Sequence, residues 1–558
     1  MVKKLFKVFG GATDSIHEAA YLLGFFALLS QFLGLFRDRL LAHYFGAGAM
    51  LDVYYASFRI PDLIFATVAS LVSASVIIPF LQEKMNEGEG KAKQFIDEMW
   101  SAFFVLIMAV SVIAFFAMPM LVKLLFSTMP LGSQLNVIAL SRILLLSPIF
   151  LGLSNFLSSI VQSHKRFALY ALSPVLYNVA IILGLIVLFP IFGIEGVVVG
   201  VVLGSILHAL IQIPFARSVL LFPDLIFPIV WSRLKSVAVI SLPRTLTLAF
   251  VNIVLIILVS LASRMAEGSI SIFTFAYNLQ SVPMTIIGVS YSMAAFPTLS
   301  KLFVSGDKKE FVRHVSVALR HIIFLSLPIM ALFIIVRAQI VRTIFGTGAF
   351  SWSDTRLTAA CFALFSISAV AQSANLLFVR AYYASGKTKI PLIISGVSSL
   401  LTVVASYSVY KLFFAWPYLK DIITIVFKVS DVPGTEILAL PIGFTIGSLI
   451  GLILFVIYFD RHYKGFILSI KETFFQSAVA SILLGISAYF VLGGSSYVLE
   501  TKTLAGIFSQ GFVAGMVGLI VWFITLKLLG NKEIDEMVKS IKGKVWKVAV
   551  VAPEKEEI

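Results

Sequence analysis

Asp52 and Arg59 lie seven residues apart in an otherwise apolar stretch and are followed by Ser70 and Ser73. On an α-helix these four fall within about 60° of one another, and Asp62 stands three residues beyond Arg59. Gln31, Gly34 and Asp38 share a second helical face, with Arg37 beside them. Thr274, Asn278, Ser281 and Thr285 form a third stripe at i, i+4, i+7 and i+11. Each stripe gives its helix a polar face within an apolar stretch, and such a face must meet something other than lipid. The stripes contain no nucleophile–base constellation, so an enzyme is not expected.

Two readings of these stripes stand. They line a hydrated central cavity, or they hydrogen-bond one packed helix to the next. For Arg59 the cavity reading is favoured, because an arginine within a bilayer needs water or a partner. For Asp52, near one end of its span, simple exposure competes. For Arg37 and Asp38 a local ion pair competes with ligand contact.

The elements that carry these residues are membrane spans. Of 558 residues, 59% are hydrophobic and 13% charged, and the mean hydropathy is +1.00. Soluble chains average about 25% charged residues. Apolar runs of about 20 residues, enough to cross a ~30 Å hydrocarbon core, recur along the whole chain. The pattern predicts about fourteen spans, at 17–41, 53–82, 98–125, 135–162, 167–190, 192–216, 236–263, 270–302, 314–336, 356–384, 389–412, 437–459, 467–493 and 503–529. The expected fold is an all-α polytopic membrane protein.

The chain also repeats itself. Pro61, Pro79, Phe126, Ser163 and Lys165 have counterparts in Pro283, Pro297, Phe345, Ser385 and Lys387, at offsets of 218 to 222 residues. Two repeated helical bundles around a cleft are a common plan for secondary transporters. The organisation read from this is an N-terminal six-helix bundle over 1–216, a second over 217–460, an additional helix pair over 461–529, and a tail over 530–558. In the tail, Val538, Ile541, Val545 and Trp546 fit either a short surface helix or a partly disordered end. Residues 413–436 form a long, aromatic-containing connection expected to lie in the membrane interface.

The net charge of +15 does not indicate nucleic acid. Lys and Arg concentrate in alternate loops, among them Lys84, Lys91, Lys93, Lys165, Arg166, Lys308, Lys309, Lys387 and Lys389. Positive loops stay inside, which puts both termini in the cytoplasm. Lys3, Lys4 and Lys7, ahead of the first span, fit the same orientation, and no cleavable signal is evident. Cys361 is the single cysteine, the seven histidines are scattered without metal-ligand spacing, and no phosphate-binding GxxxxGK[ST] loop occurs. No metal, cofactor or ATP-hydrolysing part is expected.

GLFRDRLLAHYFGAGAMLDVYYASFRIPDL at 34–63 resembles the signature of the MurJ/MviN lipid II flippase family, as do SLPRTL at 241–246, the segment 268–302, and VRAYYASGKTKIP at 379–391. The wider relatives are multidrug and oligosaccharide–lipid exporters. The resemblance covers the first twelve spans, and the extra pair fits the family's fourteen-helix plan. It implies a flippase of the bacterial cytoplasmic (inner) membrane that moves an undecaprenyl-pyrophosphate-linked cell-wall precursor between leaflets by alternating access. It also implies a lipid-tail groove made with spans 13 and 14, and membrane lipids and cell-wall synthesis proteins as partners.

Arg37, Asp38, Asp52 and Arg59 match the family's pattern. Gln31, Phe65 and Asn278 stand at three positions where the family usually carries arginine, and Ser70 replaces a glutamate. Spans 7, 11 and 12 hold no acidic candidates for a sodium site seen in some relatives. The cavity is therefore expected to be polar but largely discharged. Arg59 and Arg37 are expected to attract the pyrophosphate. Gln31, Asn278 and Ser281, with Asp38 and Asp52 nearby, are expected to complete the substrate site. Gly46 and Gly48 would allow a tight turn at the gate. Export of another lipid-linked oligosaccharide or small amphiphile, or a non-transporting scaffold role, remain as alternatives.

Overall fold

The computed structural model describes residues 16–72, 74–499 and 503–545, and they form helices without a strand. In chain order the main helices are α1 (Ile16–Phe45), α2 (Ala49–Ser57), α3 (Arg59–Val68), α4 (Ala74–Glu87), α5 (Glu89–Phe126), α6 (Leu131–Leu144), α7 (Leu146–Ser163), α8 (Phe167–Leu183), α9 (Ile194–Leu210), α10 (Trp231–Ala262) and α11 (Ser269–Pro283). They continue with α12 (Ser290–Val304), α13 (Lys308–Ile335), α14 (Arg337–Phe345), α15 (Trp352–Ala384), α16 (Lys389–Ala415), α17 (Pro417–Phe427), α18 (Ala439–His462), α19 (Phe466–Ser495), α20 (Leu504–Leu528) and α21 (Lys532–Val545). Twelve helical runs among the described residues are long and apolar enough to cross a membrane, beginning with α5. Two further stretches, α1 and the broken run α2–α4, precede them.

The break between α2 and α3 follows from Pro61. Proline has no N–H, so the carbonyl of Ser57 loses its partner four residues on. The Ser141 hydroxyl on α6 donates to that carbonyl instead, at 3.0 Å. A second interruption, a tight turn over Ala69–Val72, separates α3 from α4. Ser73 and the side chain of Ser70, both part of the first polar stripe, lie outside the described residues, as do Lys3, Lys4, Lys7 and Trp546. The run expected at 270–302 is likewise not one regular helix. A wide, five-residue-turn stretch, Met284–Val289, follows Pro283.

The chain forms two compact units. The first comprises residues up to Val282, with Val341–Phe365 and Lys387–Gly451. Its helices approach closely where side chains are small: a Cβ on Gly200 would sit 2.7 Å from the Cα of Gly184, and one on Gly204 would sit 2.8 Å from the Tyr177 carbonyl oxygen. Small residues at four-residue spacing are how membrane helices pack without a hydrophobic driving force.

The second unit comprises Pro283–Ile340, Ser366–Gly386 and the chain from Leu452 onward. Its core joins Phe324, Ala480, Leu484, Trp522, Leu526 and Ile534. Ile534 belongs to α21, so the start of the tail is a docked helix. Glu533, 3% exposed, pairs with Arg320 at 3.2 Å and accepts from Thr473 at 3.0 Å.

Candidate functional site

The first unit assembles a polar cluster from α1, α8 and α11. Arg37 donates to Oδ1 of Asp38 through Nε (3.0 Å) and Nη2 (2.8 Å), and to Oδ1 of Asn178 through Nη1 (3.2 Å). Asn278 donates to Oδ2 of Asp38 at 2.9 Å. Asn178 in turn donates to the Ser30 hydroxyl (3.2 Å) and to the Pro174 carbonyl (3.0 Å). The ion pair anticipated for Arg37 and Asp38 is present, and it is one part of a larger network. Asp38 is nearly inaccessible, whereas the Arg37 side chain keeps 23% of its surface exposed. Arg37 is thus oriented by Asp38 and Asn178 with part of its side chain still exposed.

Arg59 opens α3. Its Nη2 donates to the Thr274 hydroxyl of α11 at 3.4 Å, a long and weak bond. Its Nε is buried and, among the described residues, has no acceptor. One turn on, Asp62 is exposed. Gln31 and Phe65 are half-buried. Ser281 is half-buried too, and its hydroxyl donates to the Asn278 carbonyl of its own helix at 2.7 Å.

Asp52 is not exposed: 6% of its surface is accessible. Its carboxylate accepts from the Gly268 and Ser271 amides, each at 2.8 Å, and from the Ser271 hydroxyl at 2.6 Å. It therefore caps the N-terminus of α11 from another helix, where unpaired amides and the helix dipole favour an anion. The relationship is reciprocal, because Glu267 accepts from the Ala49 amide at the start of α2, at 3.0 Å.

Gly46 and Gly48 lie in the turn between α1 and α2 and differ in role. Gly46 has φ +61°, and a Cβ there would fall 2.7 Å from the Ala349 carbonyl oxygen. Gly48 has extended φ −142°, with the nearest atoms to a Cβ at 3.6 and 3.7 Å. The Ala349 amide donates to the His43 carbonyl at 2.9 Å. Arg39 donates to the Thr343 and Ile344 carbonyls at 2.5 and 2.9 Å, closing the last turn of α14. The backbone of residues 43–46 thus lies against the 346–349 turn.

Sequence reasoning did not single out Asn178, Arg39 or Glu267. Asn178 carried a signal, as an amide in an apolar span. The other two sit in loop-proximal charge, where nothing local marks a long-range partner.

The second unit holds an apolar groove of about 700 Å³. Its walls are α13, through Leu327, Met330 and Ile334, and α19, through Ile482, Ile486 and Phe490.

A profile of the family described as Lipid II flippase MurJ matches residues 41–508. The Lipid II flippase MurJ of Burkholderia cenocepacia is 26% identical over 391 residues, covering 68% of this chain and 76% of that protein. The Probable lipid II flippase MurJ of Rickettsia prowazekii is 28% identical over 396 residues, covering 69% and 77%. Among solved structures, a lipid II flippase MurJ in an inward closed conformation aligns with a TM-score of 0.72 at 22% identity, covering 91% of this chain and 99% of that one. An inward-facing multidrug resistance MATE family transporter of the MOP superfamily aligns with a TM-score of 0.62 at 15% identity, covering 78% and 95%. The two structural likenesses bear on the fold.

Proposed function

The chain belongs to the MurJ family of lipid II flippases, and on that premise we propose that it carries lipid II from the cytoplasmic to the outer leaflet of the bacterial inner membrane. It is a multi-pass membrane transporter and not an enzyme. The observation that carries the substrate assignment to this chain is the state of Arg59. A buried guanidinium N–H without an acceptor costs about 1–3 kcal/mol, and a pyrophosphate oxygen removes that cost. Arg37, oriented by Asp38 and Asn178, supplies a second cation from α1. Gln31, Asn278 and Ser281 add the amides and hydroxyl suited to sugar and peptide. Two cations serve here where the family commonly uses more.

In this reading the loops rich in Lys and Arg face the cytoplasm, with both termini, and α1 and the α2–α4 run complete fourteen spans. The turn at 45–48 then lies at the outer end, and the contacts of Asp52, Glu267, Arg39 and Gly46 hold the outer gate closed. Alternating access requires those contacts to break as the head group leaves. The polyprenyl tail runs along the α13–α19 groove, whose apolar walls suit an isoprenoid. The first structural unit crosses the boundary between the two sequence repeats, which fits a resting state with the outer end sealed. The six-helix bundles 1–216 and 217–460 are the bodies we propose to rock.

The test is complementation of a strain depleted of its own flippase, with insertion checked by blotting and lipid II binding measured on purified protein. Growth together with lipid II binding supports the proposal. An inserted protein that neither binds lipid II nor restores growth overturns it.

A further inference from the structure

The connection between α16 and α18 contains α17, whose two faces are unusual for a loop helix. Its inward side, Lys420, Thr424 and Phe427, is held to the first unit. Lys420 pairs with Glu436 at 2.5 Å, and Thr424 is buried. Just beyond it, Arg356 of α15 binds both carboxylate oxygens of Asp431, at 2.6 and 2.7 Å, and also donates to the Lys428 carbonyl. The outward side should be polar if it faced only water. It carries Tyr418, Ile422 and Ile425 at i, i+4 and i+7 instead, with Val426 alongside and a single exposed carboxylate, Asp421, at its border. Tyr418 is 76% exposed, Ile425 65% and Val426 63%.

We propose that this outward face is a membrane-docking surface, and that α17 lies flat in the interface with its apolar side in the upper acyl chains. The occupant is identified by continuity. α16 is a membrane-spanning helix, and its exposed Leu400, Val404 and Tyr407 run up to Phe414 and Trp416, which lead directly into α17. One charge interrupts this surface: the exposed Lys411 lays its ammonium over the Tyr407 ring at 5.6 Å, the posture of a lysine snorkelling to the interface, and the apolar surface resumes at Phe414 and Trp416. Tyr and Trp concentrate at this depth in bilayers, and helices with an outward apolar side rest there. The two ion pairs give α17 a rigid mounting on α15 and on the start of α18, so lipid contact fixes the depth of both. Which leaflet is involved rests on the orientation proposed above, whereas insertion itself does not.

The test uses full-length protein in vesicles of phosphatidylethanolamine and phosphatidylglycerol. An environment-sensitive fluorophore is placed on Ile425→Cys, and on Ser430→Cys as a control for the exposed loop. Cys361 is fully buried, and the parent protein measures its background labelling. The expected result is blue-shifted emission at 425, quenched several-fold more by shallow nitroxide lipids than by aqueous iodide, with the opposite preference at 430. Iodide quenching at 425 equal to that at 430 overturns the proposal by showing a water-facing helix. Protection of 425 from both quenchers overturns it by showing a protein partner on this face. If Ile425→Cys inserts poorly, Val426→Cys reads the same surface. Transport is not the readout, so failure of the flippase assignment and failure of this inference are distinguishable.

Discussion

Asp38 and Asn278 stand 240 positions apart and are joined by a hydrogen bond of 2.9 Å. One belongs to each sequence repeat. The oxygen that Asn278 does not use is occupied by Arg37, so the position of the site's first arginine depends on a residue of the other repeat. Removing Asn278 should let Asp38 and Arg37 relax together. We expect Asn278→Ala and Asp38→Asn each to weaken lipid II binding by about threefold to thirtyfold. The double variant should lose less than the product of the two. Equal, independent losses in a double-mutant cycle would mean that the bond does not couple them.

Arg59→Ala should abolish detectable flipping while leaving expression intact. Losing a charged hydrogen-bonding group costs about 1.5–3 kcal/mol, or roughly 10- to 150-fold. Arg59→Lys should recover part of this, since a lysine restores charge without the planar fork. Binding and complementation measured side by side check both variants. Full activity of Arg59→Ala removes Arg59 from the site.

The two turn glycines should separate cleanly. Gly46 combines positive φ with contact to the Ala349 carbonyl, so Gly46→Ala should weaken the closed turn by about 1–2 kcal/mol. Gly48 has ordinary extended backbone and room for a Cβ, so Gly48→Ala should be tolerated. Cross-linking yield between cysteines at His43 and Ala349, whose backbones share a hydrogen bond, reads the closed end directly. Equal yields in the two variants would contradict the assignment.

The mounting of the α16–α18 connection should be acid-sensitive. The hydrogen bonds from Arg356 hold the Asp431 carboxyl below its usual range. A depressed carboxylate stabilises the fold fully above its unfolded value of about 3.9 and loses that contribution as pH falls through the folded value. A spin label at Ser430 should therefore keep constant mobility from neutral pH to about pH 5 and loosen in stronger acid. In Arg356→Ala it should be mobile throughout. A label that loosens already near neutrality would point to a different group.

Glu533→Ala should leave Arg320 without its buried partner and Thr473 without its acceptor. A loss of about 2–4 kcal/mol is expected for breaking such a pair, read as a lowered unfolding temperature in detergent. Glu533→Gln should lose less, because the amide oxygen still accepts. An unchanged temperature for Glu533→Ala would mean that the docked tail contributes nothing to the second unit.

The helical architecture was legible because hydropathy over about 20 residues reports membrane spans directly. The polar stripe on α11 was legible for the same reason: Thr274 and Asn278 stand out against an apolar background at helical spacing. The role of Asp52 was not. Its position at one end of a span suggested exposure, and only the arrival of Gly268 and Ser271 from 216 residues or more away turns it into a cap. The difference between Gly46 and Gly48 was equally hidden, since both sit in one FGAG turn and backbone dihedrals separate them. Periodicity also could not foresee that Ser141 of α6 satisfies the carbonyl that Pro61 leaves open at Ser57.

The break between α2 and α3 has a mechanical consequence. At Ser57 the main-chain ladder is already open, and the loose carbonyl is tied down by a single hydroxyl from α6. Bending an intact helix would tear backbone bonds. A hinge at this crease would part the Ser141 tie and the long Arg59–Thr274 bond and leave the helical ladders on either side whole.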